Sequence, residues 1–101
     1  MENQKYTPVA NGFTLQVNNS FNDVHLYLLN VTAHSGTIYF PSVQNCIDGQ
    51  EILINSVVST NPITFNGNGA TIVNAPDIMS ETWFYCRFVY DLSTHTWYRV
   101  G

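Results

Sequence analysis

The chain has 101 residues, enough for one domain, and only 10% of them are charged, against about 25% in an average domain. Its formal net charge is −4, and the three cations, Lys5, Arg87 and Arg99, are too few and too scattered to bind nucleic acid or an anionic membrane surface. The sequence has neither a run of about eighteen apolar residues nor the apolar core of a signal peptide. We therefore expect a soluble protein made in a cytoplasm, with no nucleic-acid or membrane partner.

Residues 1–11 are polar and contain Pro8, and this composition predicts an extended N-terminal arm. Residues 12–101 are then expected to form a single β domain. Two interpretations of the arm stay open. It is either a frayed terminus or a segment that orders against a neighbouring subunit.

Short β-prone segments follow one another along the rest of the chain, separated by turn residues. Residues 13–17 alternate apolar and polar side chains, as a half-buried strand does. In residues 24–32, Val24, Leu26 and Leu28 fall on one face of the predicted strand. The predicted strands are residues 13–17, 24–32, 37–40, 51–54, 63–65, 70–73, 82–90 and 96–100.

Two glycine-containing turns punctuate the predicted strands. Asp48 and Gly49 form a strong turn dipeptide, because Gly accepts positive φ and Asp can bond the backbone of its own turn. Residues 66–69, N-G-N-G, predict a hairpin between the strands on either side of them. Residues 78–81 are the one candidate for a short helical turn.

No segment of ten residues has the apolar period of 3.6 that marks an amphipathic helix, so the sequence predicts an all-β fold. Strands that recur every eight to twelve residues or so are typical of small sandwiches and barrels. We expect a small antiparallel β-sandwich, a barrel or a prism-like module, preceded by the short N-terminal arm.

Side chains with catalytic or metal-binding chemistry are few and separated. His25, His34 and His95 lie far apart and have no partner ligand at short spacing, so no metal site is predicted. Asp48 and Glu51 are close in sequence, but a turn accounts for the first and a solvated strand position for the second. No Ser-His-Asp or Cys-His signature is recognisable. We therefore predict no catalytic residue, no metal and no cofactor.

The two cysteines are expected to be free thiols, because the chain has no visible secretory signal. Cys86 alternates with Phe88 and Tyr90 in a predicted strand, which is the pattern of a small core residue. Cys46 precedes the Asp48 turn, where we expect it to be half exposed.

The last two predicted strands carry a group of aromatic residues, Trp83, Tyr85, Trp97 and Tyr98. Their rings, with neighbouring Asn and Thr, are suitable for stacking on sugars. The alternative is that the two tryptophans pack across the closing strands, where aromatic pairs stabilise sheets. Both interpretations stay open at this point.

Several stretches form a recognisable series: G-T-I-Y-F-P at residues 36–41, D-G-Q-E-I at 48–52, I-T-F-N-G-N-G at 63–69 and the closing R-F-V-Y-D and T-W-Y-R-V. Together they resemble the β modules of tailed-bacteriophage virion proteins. The resemblance covers residues 36–101, about two thirds of the chain. It implies a structural part of the particle that is usually homotrimeric, with no catalytic residue.

The resemblance implies a homotrimeric head-decoration or cement protein of the virion, which is assembled in the host cytoplasm, binds the major capsid protein and stabilises the shell. The alternative that it implies is a tail-fibre or fibre-tip module that binds a host-surface receptor or glycan. Arg87 and Arg99 would pair with Asp91, Glu81 or an acid of a neighbouring subunit. The expected partner-binding residues are Tyr6, Pro8, Phe13, Trp83, Tyr85, Arg87, Trp97, Tyr98 and Arg99.

Overall fold

The computed structural model of the chain describes residues 1–29, 34–56, 62–76 and 84–101. These residues contain nine strands, which confirm the all-β prediction, and one 3-10 helix, Val43–Asn45. The predicted helical turn at residues 78–81 lies outside the described residues. The strands are β1 (Glu2–Tyr6), β2 (Phe13–Gln16), β3 (Val24–Leu28), β4 (Gly36–Tyr39), β5 (Glu51–Ser56), β6 (Ile63–Asn66), β7 (Thr71–Val73), β8 (Phe84–Asp91) and β9 (Thr96–Arg99).

The strands form two sheets, and the first six strands alternate between them. The six-stranded sheet has the order β1-β3-β5-β8-β9-β7, and the three-stranded sheet has the order β2-β4-β6. The chain thus makes one strand in each sheet before returning to the first. Each return runs in the same direction as the last, so β1, β3 and β5 are parallel, as are β2, β4 and β6. The result is a β-solenoid-like arrangement.

This parallel winding differs from the antiparallel sandwich, barrel or prism that the sequence predicts. Glu2, Val24 and Ile52 occupy one level of the six-stranded sheet, although they are 22 and 28 positions apart in the chain. Parallel strands need a long crossover between them, and here the crossover is itself a strand of the opposite sheet. Alternation of apolar residues records which face of a strand is buried, but it carries no information on strand direction.

The N-G-N-G segment is a turn, but the hairpin predicted around it is wrong. Asn68 and Gly69 both have positive φ, 54° and 106°, and the amide of Asn68 donates to the side-chain oxygen of Asn66 at 2.8 Å. The turn carries the chain from β6 in one sheet to β7 in the other, so the two strands do not pair. Gly69 has the positive φ that the turn requires, but the turn connects two sheets instead of two paired strands.

The C-terminal end of the solenoid-like arrangement is closed by an antiparallel pair, and here the antiparallel pairing expected for the whole fold is present. β8 pairs antiparallel with β5 on one side and with β9 on the other. β7 then adds to the far edge of the sheet, parallel to β9. A solenoid needs such a terminal cap, because its last coil would otherwise expose the apolar interior.

Residues 1–11, for which an arm is predicted, contribute the first strand of the six-stranded sheet. β1 pairs with β3 along its whole length, and the inward-facing ring of Tyr6 lies 5.6 Å from that of Phe13. The side chain of Gln4 donates to the backbone oxygen of Gln16 and accepts from the amide of Asn18, at 2.9 and 2.8 Å. Residues Glu2–Tyr6 are thus extended and paired within the domain.

The core lies between the two sheets and is formed by alternate residues of the strands. The predicted inward face of β3, Val24, Leu26 and Leu28, is buried, and so are Ile52 and Ile54 of β5. Each such side chain contributes about 1.5–3 kcal/mol by leaving water. The remaining buried apolar residues are Phe13, Leu15, Val17, Ile38, Phe40, Cys46, Ile63, Cys86, Phe88, Tyr90 and Trp97.

The Asp48 turn connects three parts of the fold. Gly49 has φ of 79°, as predicted, and the carboxylate of Asp48 accepts from the amide of Leu92 in the β8–β9 loop at 3.0 Å. Gln50 next to the turn is only 2% exposed. Its amide nitrogen donates to the backbone oxygens of Ser20 and Asn22, and its oxygen accepts from the amide of Ile47, at 3.0, 3.1 and 3.0 Å respectively. The hydrogen bonds of Gln50 therefore join the β2–β3 connection to the Asp48 turn.

Candidate functional site

The residues expected to bind partners are distributed between the core and the surface. Phe13, Pro8 and Trp97 are buried, Tyr6, Arg87 and Arg99 are partly exposed, and Tyr85 and Tyr98 are exposed. Trp83 lies outside the described residues. A surface role is therefore left to Tyr85, Arg87 and Tyr98, which lie on the two closing strands of the six-stranded sheet.

Trp97 is a core residue, so its assignment to a binding surface is wrong. It is 0% exposed and lies opposite Tyr90 in the β8–β9 pair, with ring centroids 5.0 Å apart. Its ring also meets that of Phe40 from the opposite sheet edge-on at 5.3 Å. The indole nitrogen has no hydrogen-bond partner within the described chain. Trp97 therefore packs across the closing strands and is not available to stack on a sugar.

The outward side chains of β1, β3, β5, β8 and β9 form one surface, which we call the broad face. The strand register aligns them in rows that cross the sheet. Because neighbouring strands are about 4.8 Å apart, side chains in one row are in reach of each other. The rows are Asn3, His25, Leu53 and Arg87, then Lys5, Tyr27, Asn55 and Tyr85, and finally Glu51, Val89 and Tyr98.

Polar groups in the middle of the broad face bind one another. The Nε2 atom of His25 is hydrogen-bonded to the side-chain oxygen of Asn55, and its Nδ1 lies 3.2 Å from the hydroxyl of Tyr27. Since an amide oxygen only accepts, Nε2 is the donor to Asn55. The His25 and Tyr27 rings are also stacked, 4.2 Å between centroids. These contacts hold the side chains in place before any partner arrives.

An ion pair joins β5 to β8 on the same face. The guanidinium Nε of Arg87 donates to the carboxylate of Glu51, and this hydrogen bond raises the pKa of Arg87. The partner of Arg87 is therefore Glu51 rather than one of the acids expected from the sequence. Both side chains are partly exposed, so water screens the pair and its contribution to stability is small. Its main effect is to neutralise two of the few charges on the face.

Exposed aromatic and apolar side chains lie on the closing strands of the broad face, on either side of Arg87. Tyr85 is 42% exposed and Tyr98 is 38% exposed, and Tyr98 is opposite Val89 across the β8–β9 pair. Val100, just after β9, is also exposed. Tyrosine is a common anchor at protein interfaces, because its ring buries a large area with little loss of conformational freedom.

Several described groups with catalytic chemistry make structural contacts. Asp48 accepts from Leu92, and the carboxylate of Asp91 accepts from Ser93 and Thr94, whose hydrogen bonds lower the pKa of Asp91. Within the described ranges there is no ligand-sized pocket and no group of three or more His, Cys, Asp or Glu that could hold a metal.

The two cysteines are buried free thiols. Cys86 is in the core, as predicted, whereas Cys46 is buried rather than half exposed. Burial raises the pKa of Cys46 to about 11 and that of Cys86 to about 12. The thiolate is the nucleophilic form of cysteine, so both side chains remain protonated and inert at neutral pH.

The contacts of the broad face were not predicted from the sequence, because they depend on the parallel register. His25 and Asn55 are thirty positions apart, and nothing in the intervening residues indicates that β3 and β5 are neighbours. The alternation within each segment does predict that both side chains face outward.

Comparison with known proteins gives no further assignment: no protein-family model, curated protein or solved structure matches this chain. In the part of the chain that the structure describes, no helix has the length and apolar character needed to cross a bilayer.

Proposed function

We propose that this chain is a non-enzymatic structural protein of a tailed-bacteriophage virion, a homotrimeric decoration or cement protein that binds the major capsid protein and stabilises the head shell. The resemblance of residues 36–101 to virion β modules supports the setting. The observation that carries the proposal is the broad face, where hydrogen-bonded rows adjoin the exposed Tyr85, Tyr98 and Val100.

The dimensions of the molecule suit this role. The protein measures 38 × 23 × 22 Å, so one long side spans roughly 900 Å², while each partner in a standard interface buries about 800 Å². With only 10% of its residues charged, the chain can cover such an area without burying many unpaired charges. One long side is therefore sufficient for a stable contact with another subunit.

Stabilisation of the shell would follow from binding alone. A protein that binds the assembled shell but not its separated subunits stabilises the assembly by about 2.7 kcal/mol per site when present at 100 times its Kd. Side chains that are already held, such as His25 and Tyr27, lose little freedom on binding, so less of the contact energy is spent on ordering them.

The contact with the shell is proposed at Tyr85, Arg87 and Tyr98 rather than at residues 1–11. Tyr6, Pro8 and Phe13 are packed partly or wholly inside the domain. Removing residues 1–11 would delete β1 and uncover β3, so loss of shell binding in such a truncation would report on folding as well as on contact.

The alternative function is a tail-fibre or fibre-tip module that binds a host-surface receptor or glycan. Tyr85 and Tyr98 support it, because exposed aromatic rings suit either a protein or a sugar partner. The two functions differ in location within the particle, on the head or on the tail.

Light scattering during size exclusion tests the proposed trimer. We expect a mass three times the 11.4 kDa of one chain. Tyr98→Glu and Tyr85→Glu place a charge in the proposed shell contact, so these variants should remain trimeric but no longer bind the shell. Thr64→Glu, an exposed position on the three-stranded sheet, is the matched control and should remain trimeric and bind the shell. A monomeric wild-type protein at micromolar concentration would refute the trimer.

A further inference from the structure

The outward side of the three-stranded sheet has a composition unlike that of the broad face. Its register aligns a row of three threonines, one from each strand, beside a row of two amides and a tyrosine. All three strands are four residues long, so the rows form a small regular grid. This neutral face consists of Thr14, Thr37, Thr64, Gln16, Tyr39 and Asn66.

No formal charge lies on the neutral face or near it in the sequence. The ten Lys, Arg, Asp and Glu residues of the chain all fall outside residues 6–22, 24–47 and 52–76, which contain β2, β4 and β6. The charges that the structure describes are instead on the six-stranded sheet and its loops. A ligand that binds by opposite charge has nothing to bind on the neutral face, so the surface suits an uncharged polar ligand.

The neutral face offers hydrogen-bonding groups and apolar contact together. Each threonine carries a hydroxyl and a methyl group, and the half-buried Tyr39 lies at the centre of the second row. The NH₂ group of Gln16 donates to the backbone oxygens of Val17 and Phe40, at 2.8 and 3.1 Å. The side-chain oxygen of Gln16 can therefore accept a hydrogen bond from a ligand. The side-chain oxygen of Asn66 accepts from the backbone amide of Asn68, so the NH₂ group of Asn66 can donate to a ligand.

The size of the neutral face decides between a protein and a small ligand. Three strands about 4.8 Å apart and four residues long, at about 3.3 Å per residue, cover roughly 200 Å². A stable protein partner buries about 800 Å² on each side, so this face alone is too small for one. Because the threonine row repeats at the strand spacing, a chain of similar hydroxylated units would meet a threonine at each strand.

The geometry points to the neutral face as a binding platform for a short, uncharged oligosaccharide. Tyr39 provides the ring on which a sugar stacks, and the flanking threonine hydroxyls and the Gln16 and Asn66 amides bond its hydroxyls. This platform is separate from the closing strands where the sequence placed the sugar-binding aromatics. The inference does not depend on the proposed virion role, because the two surfaces belong to different sheets.

Titration with neutral, unbranched oligosaccharides of gluco, manno and galacto configuration, followed by NMR chemical shifts, tests the platform. We expect binding of at least one of them with Kd in the micromolar to millimolar range, and shifts concentrated in β2, β4 and β6. Tyr39→Ala should weaken binding at least about tenfold, and Thr64→Lys, at an exposed position of the neutral face, should do the same. Leu92→Ala, at an exposed position in the β8–β9 loop, is the matched control and should bind as the wild type does.

Three results would overturn the platform. They are no binding by any neutral oligosaccharide at millimolar concentration, binding that Tyr39→Ala and Thr64→Lys leave unchanged, and binding that leaves the signals of β2, β4 and β6 unshifted. The mass of each variant in solution is measured alongside. If the protein is a trimer but binds no sugar, the platform is refuted and the trimer is not. If the protein is a monomer but binds sugar, the trimer is refuted and the platform is not.

Discussion

Replacing Trp97 with alanine is expected to lower the free energy of unfolding by about 3–5 kcal/mol, a large fraction of the total stability of a small domain. The ring is fully buried and contacts Tyr90 across the sheet and Phe40 from the opposite sheet, so its loss leaves a cavity that neither sheet can close. Denaturant unfolding followed by circular dichroism measures the change.

Two variants control this experiment. Tyr98→Ala changes the adjacent, exposed residue and should cost less than 1 kcal/mol or so. Trp97→Phe keeps an aromatic ring and removes the unpartnered indole N–H, so it should cost less than alanine does. If Trp97→Ala and Tyr98→Ala lowered the free energy of unfolding by the same small amount, Trp97 would not be a core residue.

Replacing Gln50 with leucine is expected to destabilise the fold by about 2–4 kcal/mol, although leucine is close to glutamine in volume. The substitution leaves the backbone oxygens of Ser20 and Asn22 and the amide of Ile47 without the partner that they have in the native fold. Unsatisfied buried polar groups are costly because they have also lost their water. The same denaturant unfolding measurement applies.

Gln44→Leu is the matched control, because Gln44 is exposed in the 3-10 helix six residues earlier. It should change the free energy of unfolding by no more than about 0.5 kcal/mol. If Gln50→Leu were as mild as Gln44→Leu, the three hydrogen bonds of Gln50 would not be what holds the β2–β3 connection.

Local features of this fold could be predicted from the sequence, because they depend on neighbouring residues only. The alternation in residues 24–28 predicts which side chains of β3 are buried, and Gly49 and Gly69 adopt the positive φ expected of their turns. The antiparallel closing pair is also predicted, since its two segments are separated by a short polar loop.

The path of the chain between sheets could not be predicted in the same way. Successive turns of the solenoid differ in length, with 22 positions between Glu2 and Val24 and 28 between Val24 and Ile52. The chain therefore has no fixed sequence period, which is the feature that identifies repeat proteins. Without a period, evenly spaced strands are equally consistent with hairpins, and an antiparallel fold is the common solution.

For the candidate surfaces, too, the sequence predicts local features but not which strands become neighbours. Trp97 and Tyr98 are adjacent, so only one of them can face the core, and either aromatic side chain would fit there. The threonine row of the neutral face joins Thr14, Thr37 and Thr64, which become neighbours only through the parallel register. Its lack of charge is visible in the sequence once those strands are known to form one sheet.

The position of the protein in a low-resolution reconstruction of the particle tests the virion proposal most directly. We predict density on the outside of the head shell, at sites with threefold symmetry, that disappears from particles assembled without this protein. Density confined to the tail would contradict the decoration role and favour the receptor-binding alternative, and absence of the protein from particles would contradict both.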